Sequence, residues 1–239
     1  MQLWSAIRLR RHSDFGQGST HQEVERLTAT LVVPVLNHYH LLDRMLASVD
    51  TTFDEVIIID NGDSNYSIPE HITNARLFTM PHNLGVAGSW NFAIQATPLS
   101  SFWLICNSDI VFEPDTLATI KAAGREDAIV LTKCSPPYSC FMVGWQVIDK
   151  IGLFDSNLYP AYCEDNVLEF RAKAHGVPIL SCDVFVHHDN SSTIKEPRFR
   201  EANDRTFGAN VAYARDLMER EDATEQPWSI SRRRSLDWN

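Results

Sequence analysis

Apolar and polar positions follow two alternating spacings along the chain. The first clear apolar run, ATLVVPV at 29–35, reads as a strand, with Pro34 placed where ladder donation stops. Apolar residues at 41, 42, 45, 46 and 49 then trace one face of a helix. Val56 to Ile59 is a second run, apolar throughout and so suited to burial on both faces. It breaks into Asp60-Asn61-Gly62-Asp63, a turn-rich loop. Together these pieces predict a β-α-β unit, which brings the strand ends near Asn37 and Asp60 side by side.

The same logic predicts a third strand over Arg76–Met80 and a loop over 81–89. A helix follows, with Trp90, Phe92 and Ile94 inward. Phe102-Trp103-Leu104-Ile105-Cys106 is the most continuous apolar run and predicts a strand buried on both faces. Further along come a helix over Pro114–Ala123 stopped by Gly124, strands at 128–132 and 141–143, and a short helix over Val147–Ile151. An aromatic-rich loop runs from Phe154 to Tyr162. A helix over Glu164–His175, two short strands at 179–180 and 184–186, and a helix over Glu196–Glu219 with Ala212, Leu217 and Met218 inward complete the pattern.

Composition narrows the function classes. The 239 residues are 44% hydrophobic and 22% charged, ordinary for a globular α/β domain. The formal net charge of −10 disfavours a surface made for non-specific nucleic-acid binding, which needs a positive field. Five cysteines without a CxxC pair support neither a zinc knuckle nor a redox motif, and point to reduced thiols in a cytoplasmic setting. No apolar run is long enough to span a bilayer. Arg8, Arg10 and Arg11, the Gly-rich link at 16–20 and Arg232–Arg234 read as solvated or mobile ends. The expected organisation is an N-terminal extension over 1–28, a catalytic-type domain over 29–195, and a C-terminal helix and polar tail over 196–239.

Three polar breaks hold the candidate chemistry. Asn107-Ser108-Asp109 follows the buried strand at its carboxyl end, where α/β sheets place ligands. Its carboxylate suits Mg²⁺ or Mn²⁺ with a diphosphate, and the tripeptide equally suits a turn or cap. Glu164-Asp165 opens a helix, where carboxylates also cap. His187-His188 ends a strand beside Asp189, as a metal ligand or as a structural pair. Asp60 fits a nucleotide contact or closure of its own loop. Two glycines, at 85 and 88, allow close approach of a ligand or a tight bend. Neither a GxGxxG fingerprint nor a P-loop is present.

The order of these motifs resembles that of the family 2 glycosyltransferases of GT-A fold, closest to a rhamnosyltransferase-like branch, over roughly residues 29–193. The resemblance implies an α/β fold with a mixed central sheet flanked by helices. It implies a metal-dependent inverting hexosyltransferase-type enzyme moving a sugar from a UDP- or dTDP-sugar to an acceptor hydroxyl, with Mn²⁺ or Mg²⁺ as cofactor. Carried over by position, Pro34, Asn37, Asp60, Asn83 and Gly85 line the nucleotide pocket, and Asn107-Ser108-Asp109 resembles the DxD motif with Asn in its first place. Asp109 and His188, rather than His187, resemble the metal ligands, and Asp165 the general base. Val167 departs from the family pattern, which has a second acidic residue there. Tyr159, Tyr162 and Trp145 are acceptor-stacking candidates.

Two other function classes compete. One is a non-catalytic GT-A-like module that binds a nucleotide-sugar or glycan without turnover. The other, a sugar nucleotidyltransferase, expects a Gly-rich loop after the first strand, where Leu36-Asn37-His38-Tyr39-His40 stands. The sequence leaves the acceptor open among a glycan, a protein and a modified nucleic-acid base, and leaves the oligomeric state open.

Overall fold

The computed structural model describes residues 26–63, 65–189 and 197–220. The arginines at 8, 10, 11 and 232–234, the 16–20 link and the proposed helix start at Glu196 lie outside them. Seven strands form one mixed sheet in the order β3-β2-β1-β4-β7-β6-β8. These are β1 (Ala29–Val35), β2 (Glu55–Asp60), β3 (Ala75–Thr79), β4 (Phe102–Cys106), β6 (Ile129–Lys133), β7 (Cys140–Gly144) and β8 (Ile179–Phe185). A separate two-stranded ribbon pairs β5 (Ile110–Val111) with β9 (His187–His188).

Helices α1 (Tyr39–Ala47), α2 (Gly85–Ala96), α3 (Thr116–Ala122), α4 (Trp145–Ile151) and α5 (Glu164–Ala174) cover the sheet, and α6 (Pro197–Glu219) follows. Side chains alternate across a strand, and the core divides accordingly. Leu31, Val33, Val56, Ile58 and Leu104 pack with α1 and α3 residues on one face. Val32, Ile57, Ile59, Trp103 and Ile105 pack with α2, α4 and α5 residues on the other. Burial on both faces is why these strands read as unbroken apolar runs. The Trp103 indole N–H, inside the core, donates to Thr97 Oγ1 at 2.7 Å, so its polar handle is satisfied.

Strand order places the chemistry. β1, β2 and β3 step outward in one direction through parallel pairs. The chain then crosses back through α2 to lay β4 on the other side of β1. The gap outside the carboxyl ends of β1 and β4 is therefore a topological switch point, the position at which open α/β sheets bind ligands. β7 runs antiparallel to β4, with Cys140 opposite Cys106. Its amino end, and the carboxyl ends of β6 and β8, lie on this same edge.

Several expectations shift. The two short strands at 179–186 are one strand, β8, with a register irregularity opposite β6 between Leu131 and Lys133. α2 begins at Gly85, inside the segment expected to be loop, and α3 begins two residues after Pro114. Among the described side chains of α6 the buried ones are Asn210 and Ala214, while Ala212 faces out. Leu217 and Met218 pack with Leu158 and Val167 as expected. Trp145 is not near the expected site. It follows the far end of β7, where its N–H donates to the Ser101 carbonyl at the start of β4, so it cannot stack an acceptor at the opposite edge.

Candidate active site

The turn after β4 and the segment after β8 meet through the β5–β9 ribbon. Ile110 opposes His188, and the Asp189 N–H donates to the Asp109 carbonyl at 3.1 Å. This register sets His188 Nε2 3.0 Å from Asp109 Oδ1, across 79 residues of chain. Both side chains are nearly enclosed, at 4% and 11% exposure. His188 Nδ1 is 3.0 Å from the Ser135 carbonyl, so Nδ1 carries a proton and donates it. That contact turns Nε2 toward Asp109, as a carbonyl bonded to the far ring nitrogen orients a metal-binding histidine. Burial works against the charged ring. Hydrogen bonds to Asp109 and Ser135, with the charges of Asp109 and Asp189, outweigh it and raise the His188 pKa.

Asn107 Nδ2 stands 3.4 Å from the same imidazole nitrogen, and its N–H donates to the Ser139 carbonyl at 2.9 Å. Ser108 is half-buried between them. His187 is on the surface instead, paired with Asp189 at 3.1 Å. Among the described residues no group of three or more His, Cys, Asp and Glu gathers to hold a metal. Asp109 and His188 thus form a two-ligand set. It fits a divalent cation that keeps water and takes its other ligands from a diphosphate, with the Asp109–His188 proton giving way to the ion.

Of the residues expected to line a nucleotide pocket, Pro34, Asn37 and Asp60 stand at the ends of β1 and β2. Asp60 is fully buried, with Oδ1 accepting from the Tyr39 hydroxyl at 2.8 Å and the Gly62 N–H at 2.9 Å. Its Oδ2 has no partner, and neither has Asn37 Nδ2. A buried polar atom left unpaired costs about 1–3 kcal/mol, so an orphaned acceptor and an orphaned donor at the ends of β2 and β1 suit an incoming ligand. Asn37 takes a left-handed backbone, φ 55, and its Oδ1 accepts from the Asp63 N–H at 3.0 Å. A Cβ at Gly62 would stand 2.3 Å from the Tyr39 hydroxyl, so only glycine lets the two loops meet. Pro34 is half-buried in β1 opposite Ile59.

Asn83 and Gly85 serve structure first. Asn83 Oδ1 accepts from the Gly85 N–H at 2.9 Å. Gly85, at φ 72, lies beneath Pro160 and Tyr159, whose atoms would be 2.8 and 2.9 Å from a Cβ there. The close approach this glycine permits is therefore to the aromatic loop.

Asp165 and its neighbour Glu164 occupy the first turn of α5. Burial raises the Asp165 pKa, against its bonds to backbone amides, one of them the Asn166 N–H at 2.9 Å. Burial also pushes Glu164 up to about 8, and its Oε2 is unpartnered. The connection to the Asp109–His188 pair runs through residues 135–139. Ser135 holds His188 and Ser139 holds Asn107, while the Tyr138 hydroxyl reaches Glu169 on α5 at 3.5 Å. The charges of Glu169 and Asp165 both help to raise the Tyr138 pKa, behind burial.

Sequence reasoning missed Tyr39, which holds Asp60, and Tyr66, whose ring stacks on it at 5.3 Å and 13°. It missed Asn61, buried, which takes the Leu84 N–H and donates to Ser89, tying β2 to α2. It also missed Tyr138. The Asn61 signal was masked by its turn-forming Asn-Gly context, and Tyr138 follows two prolines with no periodicity to expose it.

This architecture, a mixed sheet with an acidic–histidine pair at its switch point, is that of a GT-A transferase. A family model for glycosyl transferase family 2 matches residues 30–150, just over half of the chain, and the chain belongs to that family. No curated protein sequence matches it. Among solved structures, GalNAc-T7 with UDP, GalNAc and Mn²⁺ superposes with a TM-score of 0.55 at 12% identity, over 70% of this chain and 44% of that one. The mannosyltransferase PcManGT of Pyrobaculum calidifontis, with GDP-Man and Mn²⁺, gives 0.50 at 15% identity, over 67% and 56%. TarS 1-349 of S. aureus with UDP gives 0.50 at 15% identity, over 66% and 59%. The chain thus spans about half the length of the structures it resembles. Asp165 and His188 lie beyond the segment that the family model covers.

Proposed function

We propose that the protein is a metal-dependent inverting glycosyltransferase that moves a sugar from a UDP- or dTDP-sugar to an acceptor hydroxyl. The observation that carries this reading is the Asp109–His188 contact at the switch point of the sheet. Asp109 and His188 would hold Mn²⁺ or Mg²⁺. That ion supplies charge neutralisation as the nucleoside diphosphate departs. The unpartnered Asp60 Oδ2 accepts from the ring N–H of a pyrimidine, and Asn37 Nδ2 donates to a neighbouring base carbonyl. Pro34, Asn83, Gly85, Asn107 and Ser108 complete the donor wall.

Asp165 takes the proton of the acceptor hydroxyl as that oxygen bonds to C1. The C1–oxygen bond to the diphosphate breaks on the opposite face, which inverts the anomeric centre. A half-buried carboxylate with a raised pKa is a stronger base than one in water. The occurrence of Mn²⁺ with GalNAc-T7 and PcManGT agrees with the cation.

The test is a panel of UDP-, dTDP- and GDP-sugars assayed for nucleoside diphosphate release with Mn²⁺, with and without chelator. Chelator-sensitive release from a pyrimidine donor is the expected result. Tight donor binding with no release under any condition would instead identify a non-catalytic module. Release that ignores the chelator would remove Asp109 and His188 from the metal role.

A further inference from the structure

Resting on the transferase reading, we propose that the ledge made by the 155–163 loop and α6 binds a neutral sugar, so that the acceptor is the uncharged end of a glycan. Large aromatic side chains are exposed here together: Tyr159 at 47%, Phe207 at 45% and Tyr213 at 39%. Tyr162 meets Phe207 edge-on, with ring centroids 5.5 Å apart at 87°. Pyranose rings present a face of weakly positive C–H groups, which matches the negative face of an aromatic ring.

The exposure is built into the fold. The buried Asn210 amide on α6 donates to the carbonyls of Tyr159 and Ala161, at 3.3 and 2.8 Å. The Tyr213 hydroxyl donates to Asp155 Oδ2 at 2.9 Å. From the other side, the Val86 N–H on α2 donates to the Pro160 carbonyl at 2.8 Å, above the left-handed Gly85. A loop clamped from two helices holds its rings out in water before any ligand arrives. Preorganisation of that kind lowers the cost of binding.

A second observation points the same way. Glu164 is 6% exposed, and its Oε2 has no partner. It opens α5, joining the 155–163 loop to Asp165, the proposed base. With its pKa near 8, this carboxyl keeps its proton at neutral pH. It is then both donor and acceptor, as a sugar hydroxyl is.

Charge separates a neutral acceptor from a polyanion. Asp155, which accepts from the Tyr213 hydroxyl, and Asp165 bring carboxylates to the ledge, while Glu164 keeps its proton and Glu169 is paired with Lys173. Arg171 is buried and donates to the carbonyls of Ile151 and Leu153, and Arg205 Nε donates to its own helix at Glu201. A phosphodiester chain brought to Asp165 therefore meets like charge.

The experiment is saturation-transfer NMR on the protein with UDP and Mn²⁺. The probes are neutral methyl glycosides (glucoside, galactoside, mannoside, rhamnoside, N-acetylglucosaminide), a single-stranded DNA oligonucleotide and an unglycosylated Ser/Thr peptide. Transfer to the ring C–H protons of at least one glycoside is expected. It should fall about fivefold in Phe207→Ala and return in Phe207→Tyr, with both variants melting within a few degrees of the parent. No transfer to any glycoside, transfer unchanged in Phe207→Ala, or transfer only to the oligonucleotide or the peptide would overturn the proposal. Because this readout needs no turnover, a failed donor panel beside glycoside binding would count against the transferase reading alone.

Discussion

Asp60 and Asp165 both end up at the carboxyl edge of the sheet, but they are held in opposite ways. Asp60 is the last residue of a central strand, fully buried, with one oxygen fixed by the Tyr39 hydroxyl and the Gly62 amide. Asp165 is half-buried in the first turn of a helix, beside a second carboxyl and below a loop of aromatics. The proposed donor side is thus anchored by the sheet register, which leaves little freedom to vary. The proposed acceptor side hangs on α5, the 155–163 loop and α6, which pack together through the small Leu158–Val167–Ala214 cluster. If the proposed roles hold, a rigid donor wall and a separately built acceptor wall would let one fold change acceptors without altering how it holds the nucleotide.

The strongest way to break this division is to neutralise one carboxylate on each wall. Asp165→Asn should lower kcat by about 10²–10⁴-fold while the Kd for UDP with Mn²⁺ stays within about twofold. Asp109→Asn should lower turnover comparably and weaken Mn²⁺-dependent UDP binding as well. Isothermal titration beside single-turnover assays would separate the two. If Asp165→Asn also lost UDP binding, the walls would not be independent. The pH profile sharpens the point. A raised Asp165 pKa places the acid limb of kcat above the usual aspartate range, since the base works only when ionised.

Next in size is Asp60→Asn. An amide presents a donor where the unpartnered Oδ2 accepts, so the donor-sugar KM should rise about 10–100-fold with kcat nearly unchanged. A fall in kcat at constant KM would place Asp60 in loop closure alone.

How much of each wall could be read from the chain follows from the same contrast. The donor wall is made of strand ends, and an apolar run breaking into Asp60 or Asn107-Ser108-Asp109 is visible without coordinates. The pairing of Asp109 with His188 was foreseeable only through motif order, because it depends on a ribbon of two-residue strands that no periodicity announces. The acceptor wall was harder. Trp145 was misplaced because β7 runs antiparallel to β4, and strand direction is not written in an apolar run. Gly85 read as a ligand approach or a tight bend, and the neighbour it admits is Pro160, 75 residues away in the chain. Glu164 looked like a cap, and its burial depends on how the loop and α6 close over it.

That burial makes a stability prediction. Glu164 has a folded pKa of about 8 against 4.5 for the ordinary group. The folded state therefore holds a proton that the unfolded state releases between these values, and stability falls as pH rises through that window. Glu164→Gln removes the dependence. Relative to the parent, the variant should gain roughly 1–4 kcal/mol between pH 5 and pH 8, read from urea unfolding at both. An equal difference at the two pH values would mean the carboxyl does not titrate in this range, and would weaken its role as a protonated partner for an acceptor.

The smallest expected effect tests whether the donor wall reaches beyond the sheet. Arg44 on α1 forms an ion pair with Asp189, which also takes His187, and the Arg44 hydrogen bond leads in lowering the Asp189 pKa. Asp189 in turn donates its N–H to the Asp109 carbonyl, so the pair braces the strand end that presents the proposed metal ligand. Both side chains are partly exposed, at 45% and 27%, and water and salt weaken such a brace. Arg44→Ala should therefore raise the Kd for Mn²⁺ only about two- to fivefold at low ionic strength, with the difference fading in 0.5 M salt, about where the Debye length drops below the size of a side chain. Asp189→Asn keeps the backbone donor and should give a smaller change still. Equal Mn²⁺ affinity in Arg44→Ala and the parent at low salt would mean that the register of β5 and β9 holds Asp109 unaided, and the donor wall would end at the sheet.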